Sequence, residues 1–217
     1  TKVHSPGGVA CLTYLPQEPL LVSTGTASNS ILMHIFDNPD HSARLLKSRK
    51  GHSAPPSLTR YLHPAHNDTT EHTTKSSTDA AVCQLLTTGS LDRTLRVVST
   101  ARSVLDKEYS QGQGLQKRAK SLGLSSTAEL LLPPVTDCVV TSTRQRDWSD
   151  LITIHRNHSF AYMWSTQRGA QSGPVLRQTH WNVSAMKVPP PPSTHATSVV
   201  LSGCGNYALV GTKEGMI

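Results

Sequence analysis

An all-β fold of repeated four-stranded sheets is what this 217-residue sequence predicts. The first observation is a hairpin: Leu85 to Thr88 and Thr94 to Val98 are short β-prone runs joined by a Gly-Ser-Leu-Asp-Arg turn over 89–93. The second is recurrence. Leu20 to Gly25 and Ile31 to Asp37 repeat the layout across 26–30, and Leu151 to Arg156 and Phe160 to Ser165 repeat it across Asn157-His158-Ser159. Tyr207 to Gly211 opens a further copy that enters its third strand at Met216-Ile217. The third is that polar stretches separate the copies at irregular spacing, as insertions between the strands of a repeating unit do.

Taken in order, Val9 to Leu15 reads as a first strand ended by the turn Pro16-Gln17-Glu18-Pro19. Leu20 to Gly25, Ile31 to Phe36 and Ala43 to Lys47 follow as the other three strands of the unit. Ser48 to Pro56 crosses to the next unit, with Pro55-Pro56 stiffening the exit. Ser57 to Leu62 begins that unit, and the Thr- and His-rich 63–79 reads as a long loop inside it. Residues 101–130 are too long for a turn and too polar for a buried strand. Ala101 to Tyr109 is expected as a short helix and Leu115 to Leu124 as a basic amphipathic stretch, both projecting from the sheets. Val135 to Thr141 starts the third unit, whose fourth strand is placed at Gly173 to Gln178. The prolines 189–192 form a stiff extended spacer, and Thr197 to Ser202 precedes the last hairpin.

Gly51-His52 before the second unit, a strand hydroxyl at Thr88 and a turn carboxylate at Asp92 stand at the spacing of the WD repeat, with Val98-Ser99 where Trp-Asp would end the third strand. Phe36-Asp37 takes that place in the first unit, and Trp164 keeps it in the third. The pattern resembles a WD40-type β-propeller fragment of three to four blades: 9–47, 57–100 with the insertion 63–79, 135–178, and an incomplete 197–217, with a basic insertion over 101–130. A closed ring takes roughly 300 residues. The chain is therefore expected to be part of a larger protein whose remaining blades it needs for stability.

The net charge of +7 is concentrated rather than spread. Arg44, Lys47, Arg49 and Lys50 form one cluster, and Lys117, Arg118 and Lys120 another. Each suits an anionic neighbour, nucleic acid or acidic protein, and each also suits a solvated face. The cysteines at 11, 83, 138 and 204 lack C-x-x-C spacing, and three fall in strands as small apolar fillers. No apolar run approaches membrane-spanning length and no signal-peptide pattern is present, so no membrane partner is expected and nothing in these residues argues for secretion. The sequons at Asn67 and Asn182 are accordingly read as chance matches.

His52, Thr88 and Asp92 invite two readings. As a buried network they join loop to sheet, the carboxylate accepting from the imidazole N–H. As a hydroxyl, imidazole and carboxylate triad they would need an exposed elbow and an oxyanion hole, and a strand position offers neither. The structural reading is preferred, with no catalytic residue and no small-molecule substrate. His63 with His66, and His155 with His158, have i,i+3 spacing without further ligands, so neither a metal nor a cofactor is expected. Gly112-Gln113-Gly114 lacks the context of a phosphate loop. Trp148, in the charged loop 144–150, is either a lid over the sheet edge or an anchor for a protein partner.

Several stretches carry a narrower resemblance: ARLLKSRKGHSAPP (43–56), SLDRTLRVVST (90–100), LQKRAKSLGL (115–124), LPPVTD (132–137), RDWSDLITIHR (146–156) and SGCGNYALVG (202–211). In order and wording they are similar to the tandem WD-repeat family of U3 small nucleolar RNA-associated protein 21, called WD repeat-containing protein 36 in animals. Where that family has Trp-Ile-Phe-Asp, this chain has His34-Ile35-Phe36-Asp37. The resemblance implies a non-catalytic nucleolar scaffold of the UTP-B subcomplex. Such a subunit acts with U3 RNA on pre-ribosomal RNA in the small-subunit processome, beside other WD-repeat subunits. It also implies a position in the opening blades of a second propeller. Two other classes remain open: a propeller scaffold or substrate receptor without RNA, and a hydrolytic propeller.

Overall fold

The structure, a computed structural model, describes residues 4, 6–15, 19–40, 42–62, 84–89, 91–100, 102–112, 115–178 and 190–217. The expected insertion 63–79, His63 with His66, Cys83, and both sequons lie outside the described residues. The chain divides into two compact units, 1–107 with 141–143, and 108–140 with 144–217.

In the first unit, β1 (Val9–Tyr14), β2 (Leu20–Gly25), β3 (Ser30–Ile35) and β4 (Arg44–Lys50) form an antiparallel meander in sequence order. Alternation decides the faces. Val22, Ile31 and Met33 turn inward with Leu15 and Leu20, and meet Leu85 and Val98 of the next sheet in one buried cluster. Cross-strand partners Tyr14, Leu21, His34 and Leu45 share the opposite face. That next sheet consists of β5 (Pro56–Leu62), β6 (Gln84–Gly89), β7 (Leu95–Ser99) and the short β8 (Lys107–Glu108). The fourth strand lies inside the stretch read as an insertion, and the helix placed at 101–109 is a single 3₁₀ turn, Ser103–Leu105, followed by β8. The Asp106 carboxylate accepts from the Ser99 N–H at 2.8 Å and so folds this connection back onto β7.

In the second unit, β9 (Val135–Val140), β10 (Leu151–His155), β11 (Ala161–Ser165) and β12 (Ala170–Gln171) form a third sheet, and β13 (Ala196–Leu201) pairs with β14 (Ala208–Thr212). Its core joins Ile152, Ile154 and Ala161 to Ala196 and Val199. The fourth strand expected at 173–178 is displaced to 170–171; Gly173, at φ +87°, breaks the edge, after which Leu176 exchanges both backbone bonds with Ala161. Part of the expected projecting insertion is instead a strap. Ser110 forms a parallel bridge to Ala170, its N–H donating to the Gly169 carbonyl (2.9 Å) and its carbonyl accepting from Gln171 (2.8 Å). Tyr109, 4% exposed, anchors the strap against Gly169. The basic stretch does form a helix, α1 (Leu115–Ser121). These repeated antiparallel sheets are the all-β, WD40-type architecture the sequence predicted.

Candidate functional site

Each complete sheet carries a hydroxyl on its second strand at the same register. Ser23, Thr87 and Thr153 stand two residues after Leu21, Leu85 and Leu151, and those leucines face His34, Val98 and Trp164 on the third strand. In the second sheet His52 fills the space beside the hydroxyl. Its Nδ1 lies 2.9 Å from Asp92 Oδ2 and its Nε2 lies 2.8 Å from Thr87 Oγ1. A carboxylate only accepts, so Nδ1 carries a proton and donates it to Asp92, while Nε2 faces the Thr87 hydroxyl. Asp92 also accepts from the N–H groups of Ser53 (3.0 Å) and Thr94 (3.1 Å). Burial alone would raise this carboxyl, but the His52 and Thr94 hydrogen bonds outweigh it and bring the pKa down to about 2.

The expected strand partner, Thr88, is not part of this set. Neighbouring residues of a strand face opposite sides, so only one of the two threonines can meet His52, and that one is Thr87. Thr88 Oγ1 instead lies 3.3 Å from Ser57 Oγ. Thr87 is fully buried inside β6, with its hydroxyl engaged by His52. A nucleophile there could not be reached by a substrate.

Two further histidines do the same work in the other sheets. His4 Nε2 lies 3.0 Å from Ser23 Oγ; its signal in the sequence is the His4-Ser5 pair, which precedes β1 much as His52-Ser53 precedes β5. His155 holds the third sheet from within its own strand, at the register where the other two sheets have Gly25 and Gly89. Thr153 Oγ1 accepts from the Trp164 indole N–H (2.7 Å) and lies 2.9 Å from His155 Nε2, while His155 Nδ1 donates to the Pro133 carbonyl. Burial pushes the His155 pKa down to about 4 despite that carbonyl. With both ring nitrogens engaged, His155 offers no lone pair to a metal beside His158. Among the described residues no group of three or more His, Cys, Asp or Glu side chains could hold a metal ion. The same register corrects the first sheet: His34, not Phe36, takes the place of Trp164.

The two basic clusters differ in kind. In the first, Arg44 is bound by Asp37, with its Nε 2.9 Å from Oδ1. Lys47 donates to the Thr100 carbonyl and Arg49 to the Ser99 carbonyl, each at 3.3 Å, so β4 is tied to the end of β7. Lys50 stays exposed. In the second, Lys117, Arg118 and Lys120 are all exposed on α1, whose sole buried residue is Ala119. Trp148 spans the second unit: its indole N–H donates to the Gly205 carbonyl (3.3 Å) and the Arg144 guanidinium lies 5.5 Å from its ring. It stays 47% exposed beside a cavity of about 590 Å³ lined by Ile152, Met163, Leu176, Leu201 and Val210. No helix among the described residues is long and apolar enough to cross a membrane.

No family model matches the chain. The crystal structure of Saccharomyces cerevisiae Sqt1 shares the fold at a TM-score of 0.57 and 14% identity, over 94% of this chain and 46% of that one. The dihydro-heme d1 dehydrogenase NirN shares it at 0.57 and 13%, over 94% and 33%. In sequence the chain is 31% identical over 216 residues to WD repeat-containing protein 36 of Homo sapiens, covering 100% of this chain and 21% of that protein. It is 30% identical over 211 residues to the U3 small nucleolar RNA-associated protein 21 homolog of Schizosaccharomyces pombe, covering 97% of this chain and 20% of that one. The Saccharomyces cerevisiae protein 21 matches at 26% over 224 residues. The chain thus spans about a fifth of the length of the curated relatives it matches. Matched along its whole length, it is homologous to one stretch of the U3 small nucleolar RNA-associated protein 21 and WD repeat-containing protein 36 family, the family its sequence resembles.

Proposed function

We propose that this protein is a non-catalytic scaffold subunit of the small-subunit processome, the 90S pre-ribosome, and supports U3-dependent processing of pre-ribosomal RNA and maturation of 18S rRNA. In this reading it resides in the nucleolus among the other WD-repeat subunits of UTP-B. The observation that carries it is end-to-end similarity to relatives named for association with U3 small nucleolar RNA. The burial of the Thr87–His52–Asp92 set favours a framework role over chemistry, because none of the three can be approached by a substrate. RNA contact is assigned to α1, where three cations are exposed, rather than to Lys47 and Arg49, whose side chains are engaged by backbone carbonyls. Trp148 and its cavity suit a protein neighbour, since an aromatic with one polar atom fixed and half its surface open is a frequent anchor.

The test is purification of the tagged intact protein at moderate salt, with RNA and protein partners identified in one sample. Co-purification of U3 RNA, pre-ribosomal RNA and other WD-repeat subunits is expected. Recovery of a ubiquitin-ligase or signalling complex without those RNAs would replace this reading with that of a protein-only scaffold.

A further inference from the structure

Ser121 closes α1 immediately after Lys117-Arg118-Ala119-Lys120, so cations stand four, three and one residues before an exposed hydroxyl. No Asp or Glu occurs between Glu108 and Glu129, which leaves this cationic run without a local counter-charge in the sequence. We propose that Ser121 is a phosphorylation site for a basophilic serine kinase, and that its phosphate switches off the cationic surface of α1.

Three features make the serine a substrate. Its hydroxyl is exposed and donates only to the Arg118 carbonyl one turn back (2.9 Å), a bond that water replaces readily. The preceding cations match a substrate groove lined with carboxylates, where charge-assisted bonds to an Arg three residues upstream fix the register. The helix is also easily opened into the extended form a kinase cleft accepts. It has seven residues, buries Ala119 alone, and lies below the length at which a helix is stable by itself. In the transfer, a bond forms from Ser121 Oγ to the γ-phosphorus of a nucleoside triphosphate as the bond to the bridging oxygen breaks. The diphosphate leaves with the electron pair, and the hydroxyl proton passes to the kinase's general base.

The consequence follows from charge. A phosphoserine carries about −1.5 to −2 at neutral pH. Placed among three cations, it removes most of their field, and at a helix C-terminus it also opposes the macrodipole. This consequence rests on the reading that α1 contacts RNA, whereas the modification site itself does not.

The experiment uses the intact protein, ATP and the catalytic subunit of cAMP-dependent protein kinase, with phosphate located by mass spectrometry. One phosphate at Ser121 is expected, absent in Ser121→Ala, and incorporated about tenfold more slowly in Arg118→Ala, with Ser125 and Ser126 as internal controls. No phosphate at Ser121, or an unchanged rate in Arg118→Ala, overturns the site. Binding of a single-stranded RNA is then compared for the phosphorylated protein and for the Lys117, Arg118 and Lys120 triple alanine variant. Both are expected to bind about tenfold more weakly at moderate salt. A weakened variant beside unweakened phosphoprotein overturns the switch and leaves the RNA reading standing. No weakening in either overturns the RNA reading, and the switch with it.

Discussion

A side chain at residue 89 has no room, because a Cβ there would overlap the carboxylate of Asp92. Gly89 is thus the backbone half of the His52 network, and Gly89→Ala is expected to cost roughly as much as losing the carboxylate. Asp92→Ala strands the backbone N–H groups of Ser53 and Thr94 and leaves His52 Nδ1 only the Thr94 hydroxyl at 3.0 Å, a loss of about 3 kcal/mol read as a shift of the urea midpoint of the intact protein. A midpoint unchanged in both variants would remove the network from the account of stability. Acid separates two of the networks. The folded Asp92 pKa, about 2, lies below the usual 3.8, so its stabilisation holds above pH 4 and is lost as pH falls towards 2. His155 is neutral in the fold down to about pH 4, whereas an unfolded histidine gains its proton near 6.5. Its contribution therefore holds above pH 6.5 and drains between 6.5 and 4, on the order of 3 kcal/mol in all. His155→Gln should flatten the melting temperature against pH in that window, while Asp92→Ala should not.

At the scale of elements, the sheets are finished by contacts that no single strand announces. The edge of the third sheet is covered at Ala170 by Ser110 and at Ala161 by Leu176, which leaves less open backbone for another chain to pair with. Tyr109 carries that strap. Tyr109→Ala should cost about 3 kcal/mol through its buried ring, whereas Tyr109→Phe loses only a long 3.4 Å bond to the Thr166 carbonyl and should be near neutral. Equal losses in the two variants, measured by denaturant unfolding, would move the anchor from the ring to the hydroxyl. The hairpins were legible beforehand because strand alternation and turn residues are local signals. β8 and β12, two residues each, were not: such short strands have no periodicity, and only the neighbours they pair with define them.

Exposed cations release condensed counterions when they meet phosphates, so their part in binding shows as salt dependence. Replacing Lys117, Arg118 and Lys120 by Ala should lower the slope of log affinity against log salt for single-stranded RNA by about 2, from roughly 0.7 per phosphate contact. A matching change at Lys47 and Arg49 should act through folding instead, because their side chains hold Thr100 and Ser99. The apolar faces lead to a prediction about the isolated chain. Leu12, Tyr14 and Leu45 are each more than half exposed on the first sheet, as are Val200, Tyr207 and Leu209 around the last hairpin. Residues 1–217 expressed alone should therefore self-associate and bind an apolar dye; a dye-negative monomer would show that these faces need no cover.

The repeating hairpins, the all-β class, the family resemblance and the pairing of His52 with Asp92 each depend on residue type at short or fixed spacing, and so were readable from the chain before any fold. Tertiary structure decided which hydroxyl meets the imidazole, since the choice between Thr87 and Thr88 depends on which side of β6 faces the loop. It also decided that His34 stands in register with Trp164, that His4 and His155 complete the other sheets, and that Lys47 and Arg49 are tied inward while the cations of α1 stay in solvent. Each of these depends on a partner brought near only by folding. Composition counts charges, but packing determines which of them remain free to meet another molecule.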